Sequence, residues 1–218
     1  QQINFASRDP KILVDLHKMT EGHLDATIMV AYLEQQGLTD EDLLTATAKA
    51  DRILNEIEAM VAKSSQFVNI AYTPTDLYRL KAERKKAIML GIENGYAIGK
   101  DLQNVERFRN RGVVYMTLCH NGNNQLCGSC RFNDEGLGVN AFGEEVIHEM
   151  NRVGMMVDIS HAGDQTFYDA LDISTKPIVA SHSSSRSLCN HPRNLTDDQL
   201  RALAAKGGVA QVTLYNGF

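Results

Sequence analysis

The chain has no apolar run near the roughly 20 residues needed to span a bilayer, and its first residues lack the basic and apolar regions of a signal peptide. No transmembrane segment is expected, while a leader removed earlier, and with it the compartment, stays open between exported and cytoplasmic. Basic residues are also sparse. Lys and Arg number 22 against 27 Asp and Glu, a net charge of −5, and the one cluster, Arg84-Lys85-Lys86 after Glu83, suits a solvated helix end. A nucleic-acid groove is therefore not expected. Four cysteines with a single Cys-x-x-Cys pair are too few for a disulfide scaffold and do not fix the redox compartment. Internal repeats, low-complexity tracts and a Gly-rich phosphate loop are absent, which argues against a dinucleotide site. Ser183, Ser184 and Ser185 sit in no nucleophile-elbow pattern, which argues against serine hydrolysis.

What is present suits one α/β domain over residues 1–218, with 43% hydrophobic and 22% charged residues and enough length for one sizeable core. Two short apolar runs, MMVDISH at 155–161 and PIVASH at 177–182, each close on Ser-His and flank a helix-like segment at 164–173. They read as buried parallel strands joined by a helix. The alternation extends both ways. Helices are predicted over 11–20, 39–63, 75–84, 102–111, 142–153 and 197–206, and further strands over 24–33, 87–92, 113–118 and 209–214. In the long helix Leu43, Leu44, Ala48, Ile53, Leu54, Ile57 and Val61 fall at helical spacing behind a Thr39/Asp42 start signal, and Met60 is expected in the core. Pro74 precedes one helix and Asn140 caps another. Six strands separated by helices imply a parallel sheet, and since a barrel needs eight, the pattern is six-eighths of a (β/α)8 TIM-type barrel.

Glu93, His120, His161, His182 and Tyr215 all fall at or just past the end of a predicted strand, so in a barrel they face one mouth. Two strand-end histidines alone fit either a metal site or hydrogen-bonded structural imidazoles. Glu93 tilts the balance, because a carboxylate buried without a partner costs several kcal/mol and asks for a cation or a cluster of donors. Glu with two His is a ligand set for divalent zinc, and a carboxylate is able to bridge two metals.

The stretches GIENGYAI at 91–98, RGVVYMTLCHNGNN at 111–124, FGEEVIHEMNRVGMMVDISH at 142–161, PIVASHSSSRSLCNHPRNLTDDQL at 177–200 and GGVAQVTLYNGF at 207–218 together resemble the membrane (renal-type) dipeptidase family of zinc metallopeptidases, in particular its bacterial members. The resemblance covers most of the chain from about residue 80 and is looser before it. It implies a (β/α)8 barrel with two zinc ions, hydrolysing dipeptides, with members that are often dimers, so a homodimer is compatible. It further implies that Glu93 bridges both metals and that His161 and His182 complete the ligands of one. His120 stands at the position that contacts substrate and the developing oxyanion, Arg193 matches the arginine that holds the substrate carboxylate, and Tyr215 lies near the pocket. A metal-bridging water made acidic by zinc then attacks the peptide carbonyl.

Two parts of the family pattern are missing: the His-x-Asp of its first strand, which supplies the other ligands of the second zinc, and a late Asp that handles protons. Both the first and last strands are expected to lie outside the given chain, which then represents a partial barrel with ligands for one zinc. His23-Leu24-Asp25 has the right letters but stands in the block matching the second strand, and is read as a strand start. Asn94 stands where many relatives have Gly, and Cys119 where many have Thr. Cys119, His120, Cys127 and Cys130 offer a closed zinc site as an alternative, although adjacent ligands are unusual there, and reduced surface thiols or a Cys127–Cys130 disulfide are the plainer readings. His17 and His148 are expected to be structural or solvated, and His191 is a candidate substrate contact. Another metal-dependent amidohydrolase, or a non-catalytic fragment binding one metal, remains as the competing function.

Overall fold

The computed structural model describes residues 4–218. They form two compact units, residues up to Ala31 with Asp51–Gly91, and Tyr32–Ala50 with Ile92–Phe218. In the first, helix α1 (Leu16–Glu21) starts later than the predicted 11–20 because buried Asp15 caps it, accepting from the Lys18 N–H at 2.8 Å. Strand β1 (Ala26–Tyr32) follows, and helix α2 (Asp40–Ala62), whose residues to Ala50 belong to the second unit and whose remainder belongs to the first, begins at the expected signal, with Thr39 and Asp42 each accepting the other's backbone N–H. Its buried positions are Leu43, Ala46, Ala50, Leu54, Ile57 and Val61, whereas Leu44 is 73% exposed and Ala48 is exposed as well. The inward stripe therefore runs through small alanines that carry little hydrophobic signal. Met60 is only half-buried and lines an apolar groove with Met29, Ile53 and Ile57.

Strand β2 (Val68–Ile70) was not expected, since three residues are too few to show a period. It pairs in parallel with β3 (Lys86–Glu93), Val68 opposite Lys86 and Ile70 opposite Ile88. Between them helix α3 (Pro74–Ala82) carries Pro at its first position and a Thr73/Asp76 capping box. Its Leu80 packs with Ala71 and Ala87 into a small core. His23-Leu24-Asp25 does precede a strand as predicted, with Asp25 paired to Lys81 at 3.0 Å.

The second unit continues from the last residues of β3 with α4 (Gln103–Asn110), β4 (Val113–Thr117), α5 (Ala141–Val153), β5 (Met156–Asp158), α6 (Asp164–Ile173), β6 (Val179–Ala180), α7 (Asp197–Ala205) and β7 (Val209–Ala210). Strands β4, β5, β6 and β7 pair in parallel in that order, with Thr117 opposite Asp158, Asp158 opposite Val179, and Ala180 opposite Ala210. Asn140 caps α5 through the Gly143 N–H. Thus the α/β class is met: among the described residues six strands follow one another in the order β1-β3-β4-β5-β6-β7, with short β2 pairing β3 off that path, which is six of the eight strands of a closed barrel. The predicted strands at 155–161, 177–182 and 209–214 stop pairing at Asp158, Ala180 and Ala210, and the residues beyond turn out to build the site. No helix of the described residues is long and apolar enough to cross a membrane.

Phe108 on α4 is fully buried. Phe108→Ala is expected to lower the unfolding free energy of the chain by about 3–5 kcal/mol in urea denaturation; a loss under 1 kcal/mol would show that α4 is not packed on a core.

Candidate metal centre

All of the strand-end residues lie in the second unit. Glu93 closes β3, and the chain reverses immediately after it. Asn94 has φ 96° and ψ 109°, a region that disfavours side chains. Four hydrogen bonds hold it there: its Nδ2 donates to the Leu33 carbonyl and Gln35 Oε1, and its Oδ1 accepts from the Tyr96 N–H and Asn124 Nδ2. That network gives Asn94 a reason to stand in a backbone region that glycine adopts most easily. Gly95 allows close approach, since a Cβ there would come within 2.8 Å of the Leu118 carbonyl oxygen.

His161 follows β5 in the left-handed region at φ 69°. Its carbonyl accepts from the Cys130 N–H at 2.8 Å and the Cys119 thiol at 3.6 Å, while the Ser129 hydroxyl donates to the His120 carbonyl at 2.5 Å, so the unusual backbone is held by its neighbours. Its Nδ1 lies 2.9 Å from Asn121 Oδ1, an acceptor, so the proton is on Nδ1 and Nε2 is bare. His182, two residues beyond β6, has Nδ1 2.7 Å from Ser181 Oγ, whose hydroxyl donates to Asp158 Oδ2 at 2.6 Å. The same logic leaves its Nε2 bare.

Three lone-pair atoms therefore converge. Glu93 Oε1 is 3.4 Å from His161 Nε2 and 3.2 Å from His182 Nε2, and the two Nε2 atoms are 3.0 Å apart. With both imidazoles neutral and protonated at Nδ1, no proton lies among the three atoms, and a divalent cation satisfies them. Among the described residues these three form the one group of His, Cys, Asp and Glu spaced to hold a metal ion. Burial drives the His161 pKa down to about 3, keeping the ring neutral as a ligand must be. Burial alone would raise the Glu93 carboxyl; positive charge on the facing imidazoles, or on a cation in the same place, outweighs it and holds the carboxyl well below the usual carboxylate range.

His120, past β4, packs at a tilt of 38° against His161 with ring centroids 4.0 Å apart, and its Nε2 is 3.7 Å from Glu93 Oε1. Burial lowers its pKa too. Tyr32 meets its ring edge-on. Arg193 is buried, donating from Nη2 to the His182 carbonyl at 2.9 Å, with its guanidinium over the Phe218 ring. Tyr215, 63% exposed, and His191 line the same open cleft of about 620 Å³ as Glu93, His161 and Arg193.

Several expectations change. Cys119, Cys127 and Cys130 are free and buried, neither surface thiols nor a disulfide, and they hold no place in the metal group. They pack beneath the site, where burial pushes the Cys130 thiol up to about 11. His23 and Asp25 join no metal group either. His148, beside Glu144, is exposed, and His17 caps the Ala6 carbonyl, as expected. Asn121, Ser181 and Asp158, the residues that orient the imidazoles, were not singled out in the sequence. An acid inside the apolar run MMVDIS was the available signal, since a buried carboxylate requires donors.

With the geometry in hand, comparison with known proteins is informative. The family model described as membrane dipeptidase (peptidase family M19) matches residues 1–218. The chain is 35% identical over 215 residues to an uncharacterized dipeptidase of Schizosaccharomyces pombe, covering 94% of this chain and 51% of that protein. It is 30% identical over 233 residues to Dipeptidase 3 of Mus musculus, covering 91% of this chain and 47% of that one. It superposes on the crystal structure of the probable dipeptidase PvdM from Pseudomonas aeruginosa with a TM-score of 0.87 at 29% identity, covering 95% of this chain and 55% of that chain. The chain thus spans about half the length of the curated relatives it matches.

The backbone after Glu93 yields a prediction. Asn94→Gly and Asn94→Ala both lose the side-chain hydrogen bonds, but only Ala keeps the φ penalty, so Ala is expected to be less stable than Gly by about 1 kcal/mol in urea titration. Equal stability would mean that the conformation costs nothing.

Proposed function

Because the chain belongs to the membrane dipeptidase family, peptidase family M19, we propose that its strand-end cluster is the metal-binding part of a dipeptidase active site. In this reading Glu93, His161 and His182 would hold a zinc ion, and the two carboxylate oxygens of Glu93 would let it serve a second as well. One carboxylate with two neutral imidazoles is a common zinc donor set. The observation that carries the reading is the meeting of Glu93 Oε1 with two bare Nε2 atoms at 3.2 and 3.4 Å. Zinc, when bound, supplies Lewis acidity at neutral pH for attack on a peptide carbonyl.

The remaining steps belong to side chains of this chain. Neutral His120, beside Glu93, donates a hydrogen bond to the oxyanion as it develops at the scissile carbonyl. Arg193 already gives one Nη2 proton to the His182 carbonyl, and its other donors take the free C-terminal carboxylate of the substrate. Anchoring that carboxylate so near the metal ligands restricts the substrate to very short peptides. Tyr215 lines the cleft beside it. A dipeptide is the substrate class that fits, and hydrolysis releases two amino acids. A homodimer is part of the proposal only as a state compatible with it.

Metal analysis of the purified protein, with and without chelator and alongside a dipeptide panel, tests the proposal. Glu93→Gln should weaken zinc retention by more than the roughly 10–100-fold that loss of a supporting partner costs, with loss of hydrolysis. Zinc retained at the wild-type level in that variant would sink the ligand assignment. Arg193→Ala should raise KM for dipeptides by about 10–100-fold, as expected for a charged hydrogen bond of about 1.5–3 kcal/mol. An unchanged KM would remove its anchoring role.

A further inference from the structure

Asp158 takes no part in the chemistry above, yet it is fully buried at the end of β5, beneath the two histidines. Its Oδ1 accepts the backbone N–H groups of Ser160 at 3.1 Å and Ser181 at 2.9 Å. Its Oδ2 accepts the hydroxyls of Thr117 and Ser181, each at 2.6 Å. Donors from the ends of β4, β5 and β6 thus meet on one carboxylate. The consequence for His182 follows from proton counting. Ser181 has one hydroxyl proton, and Asp158 at 2.6 Å takes it in preference to Ser160 Oγ at 3.4 Å. The Ser181 oxygen, 2.7 Å from His182 Nδ1, is then left to accept, and the imidazole must carry its proton on Nδ1.

We propose that Asp158 is a positioning residue which, through Ser181, fixes His182 in the Nδ1–H tautomer and so presents a bare Nε2 to the metal. The proposal rests on the assignment of Glu93, His161 and His182 as ligands. It makes Asp158 act at one remove, whereas Asn121 serves His161 directly. It also accounts for a buried acid in a strand whose neighbours Val157 and Ile159 are apolar and buried. Ser160, between them in the relay, steadies the loop from the other side, its Oγ accepting the His182 N–H at 2.9 Å.

Asp158→Asn reverses the relay in a predictable way. The two backbone N–H groups require an acceptor at Oδ1, so the amide oxygen stays there and the NH2 group takes the Oδ2 position. That NH2 donates to Ser181 Oγ, whose proton turns to His182 Nδ1 and drives the imidazole to the Nε2–H form. Ser181→Ala simply removes the relay and leaves the other three bonds of Asp158 in place.

The test uses the full chain with ¹⁵N-labelled histidine, metal-free, with His182 signals assigned by difference from His182→Ala. Long-range ¹H–¹⁵N spectra should show His182 as the Nδ1–H tautomer in the wild type, as Nε2–H in Asp158→Asn, and as a mixture in Ser181→Ala, with His161 unchanged in all three. Zinc competition should then show binding weaker by about 10–100-fold in both variants. Nε2–H in the wild type, or an unchanged tautomer and zinc affinity in the variants, overturns the proposal. Should Asp158→Asn fail to fold, Ser181→Ala decides it alone. The tautomer is read without metal, so a wild-type chain that retains no zinc counts against the ligand assignment, while the role of Asp158 stands or falls on the spectra.

Discussion

Glu93 Oε1 and the Nε2 atoms of His161 and His182 face one another at 3.0–3.4 Å with no proton available between them. Lone pairs held that close repel unless a cation lies among them, and the surrounding structure is arranged so that they cannot turn away. Each imidazole is tied at its far nitrogen, to Asn121 in one case and to Ser181 in the other. Burial keeps His161 neutral, so its Nε2 stays available as a ligand lone pair. Parallel strands make such a meeting natural, because neighbouring strands in one register end at the same level and hand their last residues to the same face.

Holding the cluster has a cost elsewhere in the chain. His161 and Asn94 both occupy positive φ without being glycine. Each is stabilised by hydrogen bonds that use up its polar atoms, the carbonyl in His161 and the whole side-chain amide in Asn94. The buried thiols belong to this support. Cys119 lies against the His161 carbonyl and the Cys130 N–H donates to it, so the sulfur-rich loop serves as the floor beneath a ligand and not as a second metal site. Two of the four non-glycine residues at positive φ among the described residues thus stand at the proposed ligands, where local conformational energy is traded for the placement of a side chain.

The support is also hierarchical. Thr117, Asp158 and Ser181 stand at the ends of three adjacent strands and share one set of hydrogen bonds. A buried carboxylate with all its acceptor positions filled is stable in a core, and once filled it is rigid. Positional precision thus passes from the paired strands to Asp158, to Ser181 and to the imidazole. Arg193, buried and donating to the His182 carbonyl, approaches the same loop from the opposite direction.

Much of this was legible in the sequence because it follows from local rules. Apolar runs closing on Glu or His gave the strand ends, and Thr39, Pro74 and Asn140 gave helix starts, since caps and hydrophobic periods act within a few residues. The letters alone could show that Glu93, His161 and His182 were candidates to meet. Only tertiary packing decided the rest. Strand β2 was invisible because three residues carry no period and gain their order from pairing with β3. The inward face of α2 ran through Ala46 and Ala50, and not Leu44, because the partner surface chooses the stripe. Cys119, Cys127 and Cys130 proved buried because the loop folds over them, and the tautomers of both histidines were set by Asn121 and Asp158, 40 and 24 positions away, and by Ser181 next in the chain, contacts that no spacing reveals. Composition and period fix what a segment can do alone; distances, proton positions and burial belong to contacts between segments, and those exist only in the folded chain.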